Sequence, residues 1–335
     1  MHFSEAYFKG EYREGFFVRS MMKRAWAAQI EVLEVVKAIC EKHHITYYAD
    51  FGTLLGTIRH GGFIPWDDDL DICMKREDYY RFLSVAQNEF PEGFQMLSTH
   101  TTEGFTDNLI RVVNSGGINL NPGFMNVFHG CPFSVGIDIF ALDYLPREDE
   151  KLFELKNTIE QLQKFISILE HMDSSEETVN AIKEVVCENF GYVFHDRLSV
   201  IQQLRSLIEQ FFGSFSDEES DDLGDIVCYL EGHPVTRIPK ECYDNIIMKP
   251  FENTFIAVPA EFDHVLAVKY GDYHTYKKGT AGHSYPFYQD QQEILREYVE
   301  KNLIDIMEEQ TYLLRDNVVV EQMEYYTRRM AAMSA

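Results

Sequence analysis

The chain has 335 residues, 45% hydrophobic and 14% aromatic, with 30 Lys and Arg against 55 Asp and Glu for a formal net charge of −25. That is enough apolar material for one large domain or two ordinary ones. The charge argues against a nucleic-acid partner, because affinity for a phosphate backbone rests on Lys and Arg, and against passive adhesion to an anionic membrane surface. The six cysteines (Cys40, Cys73, Cys131, Cys187, Cys228 and Cys242) are scattered, with no Cys-x-x-Cys pair. Neither a structural zinc site nor a disulfide framework is indicated, and free thiols in a reducing compartment are expected. No basic region followed by an apolar run opens the sequence, and no uninterrupted apolar stretch of about 18 residues occurs. A cytoplasmic protein without a transmembrane segment is therefore expected.

Residues 1–19 show no clear period and receive no element. Residues 20–43 read as a helix capped by Ser20, with Trp26, Ile30, Leu33, Val36 and Ile39 recurring at three- and four-residue spacing. Ile45-Thr-Tyr-Tyr-Ala49 is β-branched and aromatic and reads as a strand. Gly52-Thr53 and Gly56-Thr57 then read as a glycine-rich loop whose backbone amides and hydroxyls can approach a phosphate closely. Arg59 and His60 add cationic or hydrogen-bonding groups, and Gly61-Gly62 turns the chain before Pro65-Trp66. Four carboxylates follow within five positions: Asp67, Asp68, Asp69 and Asp71. A short strand Asp69-Leu-Asp-Ile72 puts Asp69 and Asp71 on one face and the two apolar residues on the other. Asp is a poor strand former and neighbouring like charges repel, so a divalent cation is the simplest compensation. Oxygen-only ligands point to Mg²⁺ or Mn²⁺ over zinc. The bland alternative is an acidic surface turn that binds nothing.

The run Phe51-Gly-Thr-Leu-Leu-Gly-Thr-Ile-Arg-His-Gly-Gly-Phe-Ile-Pro-Trp-Asp-Asp-Asp-Leu-Asp-Ile72 resembles the signature of the LicD family. These are phosphotransferases of the nucleotidyltransferase superfamily, among them phosphocholine transferases and the fukutin-related enzymes. The resemblance implies an α/β (α+β) fold in which a small mixed sheet bearing the acids is flanked by helices.

Beyond the acids, Glu77–Phe90 reads as a helix, Phe94–Ser98 and Leu109–Val113 as strands, and residues 114–134, with their Gly and Pro, as a long loop. In Val135-Gly-Ile-Asp-Ile-Phe-Ala-Leu-Asp143 the single Asp138 lies inside an apolar strand. An isolated buried charge is expensive, so Asp138 either pairs with a cation brought in from elsewhere or ligates a metal. LicD-like chains carry this Ile-Asp-Ile-Phe-x-Leu-Asp pattern, and nucleotidyltransferases take two carboxylates from an Asp-x-Asp strand and a third from a neighbouring strand. The resemblance thus implies Asp69, Asp71 and Asp138 as metal ligands and catalytic carboxylates.

Residues 150–215 read as helical stripes and 217–222 as a solvated acidic loop or helix cap. The segment 248–273, with its hairpin, Pro259 and Tyr270-Gly-Asp-Tyr273, resembles the LicD C-terminal region, although His274–Gly279 departs from the family pattern. His283 is a candidate base or phosphate contact, and 289–315 and 318–332 read as amphipathic helices. Four regions are expected: a catalytic core over 1–148, a helical insertion over 149–222, the remainder of the LicD-like region over 223–290, and C-terminal helices over 291–335.

The function implied is metal-dependent transfer of a phosphoalcohol, with phosphocholine from CDP-choline favoured, to a sugar hydroxyl of a cell-surface glycan or lipid-linked precursor. That acceptor allows peripheral contact with the cytoplasmic face of a membrane. Gly52 and Thr53 would hold phosphate oxygens, Arg59 and Arg111 would neutralise developing charge, and His60 and His283 would bind phosphate. Asp138 would take the acceptor proton, and Asp67 and Asp68 would be supporting or turn residues. Trp66 and the many tyrosines could cage a choline cation. Nucleotidyl transfer on the same fold, or non-catalytic metal or glycan binding, are the alternatives.

Overall fold

The structure, a computed structural model, describes residues 1–230, 232, 235–276 and 285–309. The unassigned N-terminus forms a hairpin of β1 (Glu11–Arg13) and β2 (Phe16–Val18), turning on Glu14 and Gly15 at φ of 49° and 80°. Such two-residue turns match the right-handed twist of the strands they join. The hairpin leads into α1 (Ser20–His43), whose stripe of Met22, Trp26, Ile30, Leu33 and Val36 is completely or almost completely buried. Ser20 is the first helical residue, not the cap: Arg19 holds the cap position and makes no side-chain bond there.

The expected strand before the acids shortens to β3 (Tyr48–Ala49), and the expected glycine-rich loop is a helix, α2 (Phe51–His60). Asp50, in extended conformation, caps it by accepting from the Phe51 amide, and Gly61 ends it in the left-handed region. Glycine at 56 is a packing requirement, since a Cβ there would collide with the Gly62 carbonyl and stand 3.2 Å from the Ile64 amide. Gly56→Ala is therefore expected to destabilise the protein by about 1–3 kcal/mol, the usual cost of overpacking, and to lower the midpoint of thermal unfolding. An unchanged midpoint would show that the Gly62 turn relaxes freely.

After β4 (Asp71–Lys75) come α3 (Arg76–Val85), β5 (Gln95–Leu97), β6 (Ile110–Val113), a short α4 (Pro122–Val127) within the expected loop, and β7 (Gly136–Pro146). The helical stretch resolves into α5 (Asp149–His171), α6 (Glu176–Phe190) and α7 (Val200–Phe212). Next are β8 (Ser220–Gly224), α8 (Ile226–Leu230), β9 (Ile238–Pro239), the hairpin β10 (Ile246–Phe251) and β11 (Thr254–Pro259), α9 (Phe262–Tyr270) and α10 (Gln289–Glu309). The acidic run 217–222 is only partly a solvated cap. Its second half enters β8, where Ser220 is buried.

The main sheet runs β3-β4-β7-β6-β5, with β8 and β9 continuing from the far end of β7. Among the described strands only β4 and β7 pair in parallel, which makes the sheet mixed. With eleven residues, β7 spans roughly 36 Å and belongs to two cores. Its first half packs with α1, β4 and β6, while Leu145 joins the apolar surface shared by α5, α6 and α7. The fold is α+β, of the nucleotidyltransferase-like kind, with helices flanking the sheet that carries the acids.

Candidate active site

The parallel register of β4 on β7 sets Asp71 beside Asp138, and the antiparallel register of β6 on β7 sets Arg111 on the other side of Asp138. Three side chains, from three strands, thus form one row across the sheet. Arg111 binds both oxygens of Asp138, at 2.6 and 2.7 Å, and reaches Asp107 at 3.2 Å. The cation that Asp138 needs has arrived from the neighbouring strand. Burial still pushes the Asp138 carboxyl above its ordinary range, outweighing Arg111.

The acid turn ahead of β4 is held from two directions. From α1, the Trp26 indole donates to the Asp67 carbonyl at 3.1 Å and the Gln29 amide donates to the Asp68 carbonyl at 2.7 Å. From α2, the Thr53 hydroxyl accepts from the Asp71 amide at 2.8 Å, and the Asp50 amide donates to the Asp71 carbonyl at 3.1 Å. A Cβ on Gly52 would strike the Asp67 carboxylate. Glycine there lets that carboxylate lie against the start of α2, where the helix dipole favours negative charge. The hairpin tip Glu252 braces the approach to the acids by accepting from the Phe63 amide (3.2 Å) and from Arg13 (2.7 Å).

One carboxylate oxygen from each of Asp67, Asp68 and Asp69 lies within 4.8 Å of the others. Asp68 also accepts from the Phe287 amide at 2.5 Å. Burial, then Asp69, push Asp67 up to about 8. Burial, followed by Asp69, Asp138 and Asp67, holds Asp71 well above the ordinary carboxylate range. Nearby cations are engaged elsewhere: Arg111 with Asp138, and Lys269 with Asp50. Among the described residues, Asp67, Asp69 and Asp71 make no ion pair. A crowded, all-oxygen carboxylate set fits a hard divalent cation, and the donor chemistry suits Mg²⁺ or Mn²⁺.

The other expected site residues divide between the acid site and its flank. Gly52 and Thr53 lie in the first turn of α2 against the acids, with the Thr53 hydroxyl engaged by the acid strand. Arg59 lies at the far end of α2, donating to the Tyr273 carbonyl at 3.1 Å and covering the Tyr276 ring at 4.6 Å. His60 faces Glu14 at 3.3 Å, and burial lowers its pKa. His283 lies outside the described residues. Several contributors escaped sequence reasoning. Gln29 is a polar residue inside an apolar stripe, a signal that was available. Asp50 follows a strand directly, as helix caps do. Lys269, which pairs with Asp50 and lies over the Phe51 ring at 4.3 Å, carries no local signal.

A mixed sheet with acids at the start of one strand and on its parallel neighbour, preceded by a helix whose first turn meets those acids, is the arrangement of a nucleotidyltransferase-like fold. Residues 44–129 match the family described as LicD/FKTN/FKRP, nucleotidyltransferase domain. Over those residues the chain is similar to the LicD family, and the similarity supports an enzyme. It is similar to the lipopolysaccharide cholinephosphotransferase LicD of Haemophilus influenzae, at 27% identity over 73% of this chain and 88% of that protein. Uncharacterized proteins of Rickettsia typhi and Rickettsia prowazekii are 40% and 44% identical over 16% and 14% of this chain, each match spanning 18% of its relative.

Proposed function

We propose that this enzyme transfers phosphocholine from CDP-choline to a sugar hydroxyl of a lipopolysaccharide-type glycan. The observation that carries the reading is the row Asp71, Asp138, Arg111 beside the Asp67–Asp69 turn, and the Haemophilus relative's name supplies the group transferred. The acceptor oxygen bonds to the phosphorus that bears choline, and the bond from that phosphorus to the CMP oxygen breaks. Reactions of this kind rest on positioning and charge neutralisation. Asp69 and Asp71, together with Asp67 or Asp138, would hold Mg²⁺ or Mn²⁺, which when bound neutralises phosphate charge. The first turn of α2, at Gly52 and Thr53, offers the positive end of a helix to the same phosphates. Arg111, drawn from Asp138 onto the donor, balances charge on the leaving group and frees the Asp138 carboxylate to take the acceptor proton. Among the described residues no helix is long and apolar enough to cross a membrane. We place the enzyme on the cytoplasmic side, where a lipid-linked acceptor would be met at the membrane surface.

The test is CMP release from CDP-choline, CDP-ethanolamine, CDP-glycerol and CDP-ribitol, each with Mn²⁺, Mg²⁺ or chelator. Metal-dependent CMP release from CDP-choline, several-fold above the other donors, is expected. Pyrophosphate release from a nucleoside triphosphate in its place would move the enzyme to nucleotidyl transfer. Failure to bind any CDP-alcohol by calorimetry would overturn the reading altogether.

A further inference from the structure

Directly before the acid turn, Trp66, His60 and Tyr276 meet with ring centroids 6.3, 5.8 and 6.2 Å apart and planes inclined at 87°, 67° and 68°. Three rings at such angles form a corner. Phe16 extends it, standing edge-on to Trp66 at 6.4 Å and to Tyr285 at 5.8 Å. Tyr276 is 50% exposed and Tyr285 37% exposed, so the corner opens to solvent.

One carboxylate ties this group together. Glu14 accepts from the Tyr276 hydroxyl at 2.9 Å with one oxygen and meets the His60 imidazole at 3.3 Å with the other. Glu14 sits on the β1–β2 turn at φ 49°, a left-handed conformation that Gly, Asn and Asp tolerate better than Glu. A side chain kept there against local preference marks a position where its chemistry matters more than turn propensity. Arg59, 4.6 Å above Tyr276, already uses one face of that ring as a cation acceptor. Within this chain of net charge −25, the arrangement of electron-rich ring faces, one carboxylate and an open side is suited to a bulky cation of low hydration. Quaternary ammonium groups are recognised in this way.

We propose that Trp66, Tyr276, Phe16 and Tyr285, with Glu14, form the subsite for the quaternary ammonium head of the transferred group. The proposal rests on the phosphocholine reading and extends it from reaction class to choice of alcohol. Trp66 directly precedes Asp67 in sequence, and the Tyr285 hydroxyl feels the Asp68 and Asp67 carboxylates, which sets the corner beside the acid turn, on the side to which the proposal assigns the donor's alcohol arm. A neutral polyol can hydrogen-bond the carboxylate but carries no charge to set against the ring faces, so the corner favours choline over glycerol or ribitol.

Tryptophan fluorescence reads this without turnover. Of the two tryptophans, Trp26 is completely buried and stacked on Phe63 at 4.8 Å, leaving Trp66 to report. The full chain is titrated with choline and, separately, with its neutral isostere 3,3-dimethyl-1-butanol. A saturable change with choline and a far weaker one with the isostere are expected. Glu14→Gln and Tyr276→Leu, both at exposed positions, should each weaken choline binding about tenfold or more and raise KM for CDP-choline more than KM for CDP-glycerol. No response to choline, or equal responses to choline and the isostere, overturns the subsite. So does a KM for CDP-choline that neither variant changes. CMP release by the parent protein is scored independently. Choline binding without CMP release from CDP-choline leaves the subsite standing and removes the reaction, whereas CMP release without choline binding does the reverse.

Discussion

Asp71→Asn is expected to abolish turnover while leaving the metal-free protein at least as stable as the parent. The carboxylate is buried, and its neighbours Asp69, Asp138 and Asp67 all disfavour its charge. Replacing it by an isosteric amide relieves that repulsion without opening a cavity, so the thermal midpoint in chelator should hold or rise. Activity should move the other way, by a factor on the order of 10²–10³ or more, the scale on which loss of one charge-stabilising group is felt. A third readout ties the two together. Mn²⁺ or Mg²⁺ should raise the midpoint of the parent, as any ligand that binds only the folded state does, and should not raise that of Asp71→Asn or Asp69→Asn. A variant that keeps near-parental CMP release, or a parent whose midpoint ignores the cation, removes these residues from the metal site. A variant that simply unfolds would instead show that Asp71 is structural, which the raised pKa of its carboxyl argues against.

This opposition between stability and activity explains what the sequence disclosed. Asp67, Asp68, Asp69 and Asp71 were legible because they break a local rule: carboxylates crowd where a strand begins and nothing nearby in sequence compensates them. Asp138 was legible for the same reason, but its partner was not. Arg111 lies 27 residues away and reaches Asp138 only through the pairing of β6 with β7. The β10–β11 hairpin was expected from the resemblance of that segment to the LicD C-terminal region, whereas helix α1 and strand β7 follow hydrophobic period and came out close to their observed bounds. Helix α2 did not, because two glycines and two threonines in ten residues lower helix propensity. Tertiary demands override that preference. Asp50 caps the helix, the Thr53 hydroxyl receives the Asp71 amide, and Gly52 and Gly56 let other groups approach the helix closely. The strand character of 220–224 was hidden because its pairing partner, Asp143–Pro146, lies some 75 residues earlier in the chain, beyond three intervening helices. The match of residues 44–129 to the LicD/FKTN/FKRP domain agrees with the resemblance seen in the glycine- and acid-rich run.

The largest stability effect is expected away from the acids, at Arg76. This arginine, at the start of α3, binds both oxygens of Asp143 in β7 at 2.6 and 2.8 Å and Glu209 in α7 at 3.3 Å, and all three are buried. Glu209 also accepts from the Thr99 hydroxyl and lies 3.2 Å from His100. The Thr99 carbonyl in turn accepts from Gln202 at 3.0 Å and Ser206 at 2.7 Å on α7. The network therefore fastens the helical layer to the sheet. Removing one partner of a buried pair leaves a stranded charge, and Arg76→Met should cost about 3–5 kcal/mol. Replacing both partners, as in Arg76→Met/Asp143→Leu, should recover much of that loss, because the remaining Glu209 keeps Thr99 and His100. The deficit also carries a pH signature. Burial pushes the Asp143 carboxyl up to about 6 even with Arg76 beside it, and without Arg76 it must rise further. A carboxyl whose folded pKa exceeds its unfolded value of about 3.9 favours folding at low pH and opposes it as pH climbs through the folded value. Urea unfolding at pH 5 and pH 8 should therefore show a clearly smaller gap between Arg76→Met and parent at pH 5. Equal gaps at both pH values would mean that Asp143 does not depend on Arg76 for its charge, and that the arginine acts there through packing on Tyr79 and Tyr80, 4.9 and 5.3 Å from its guanidinium.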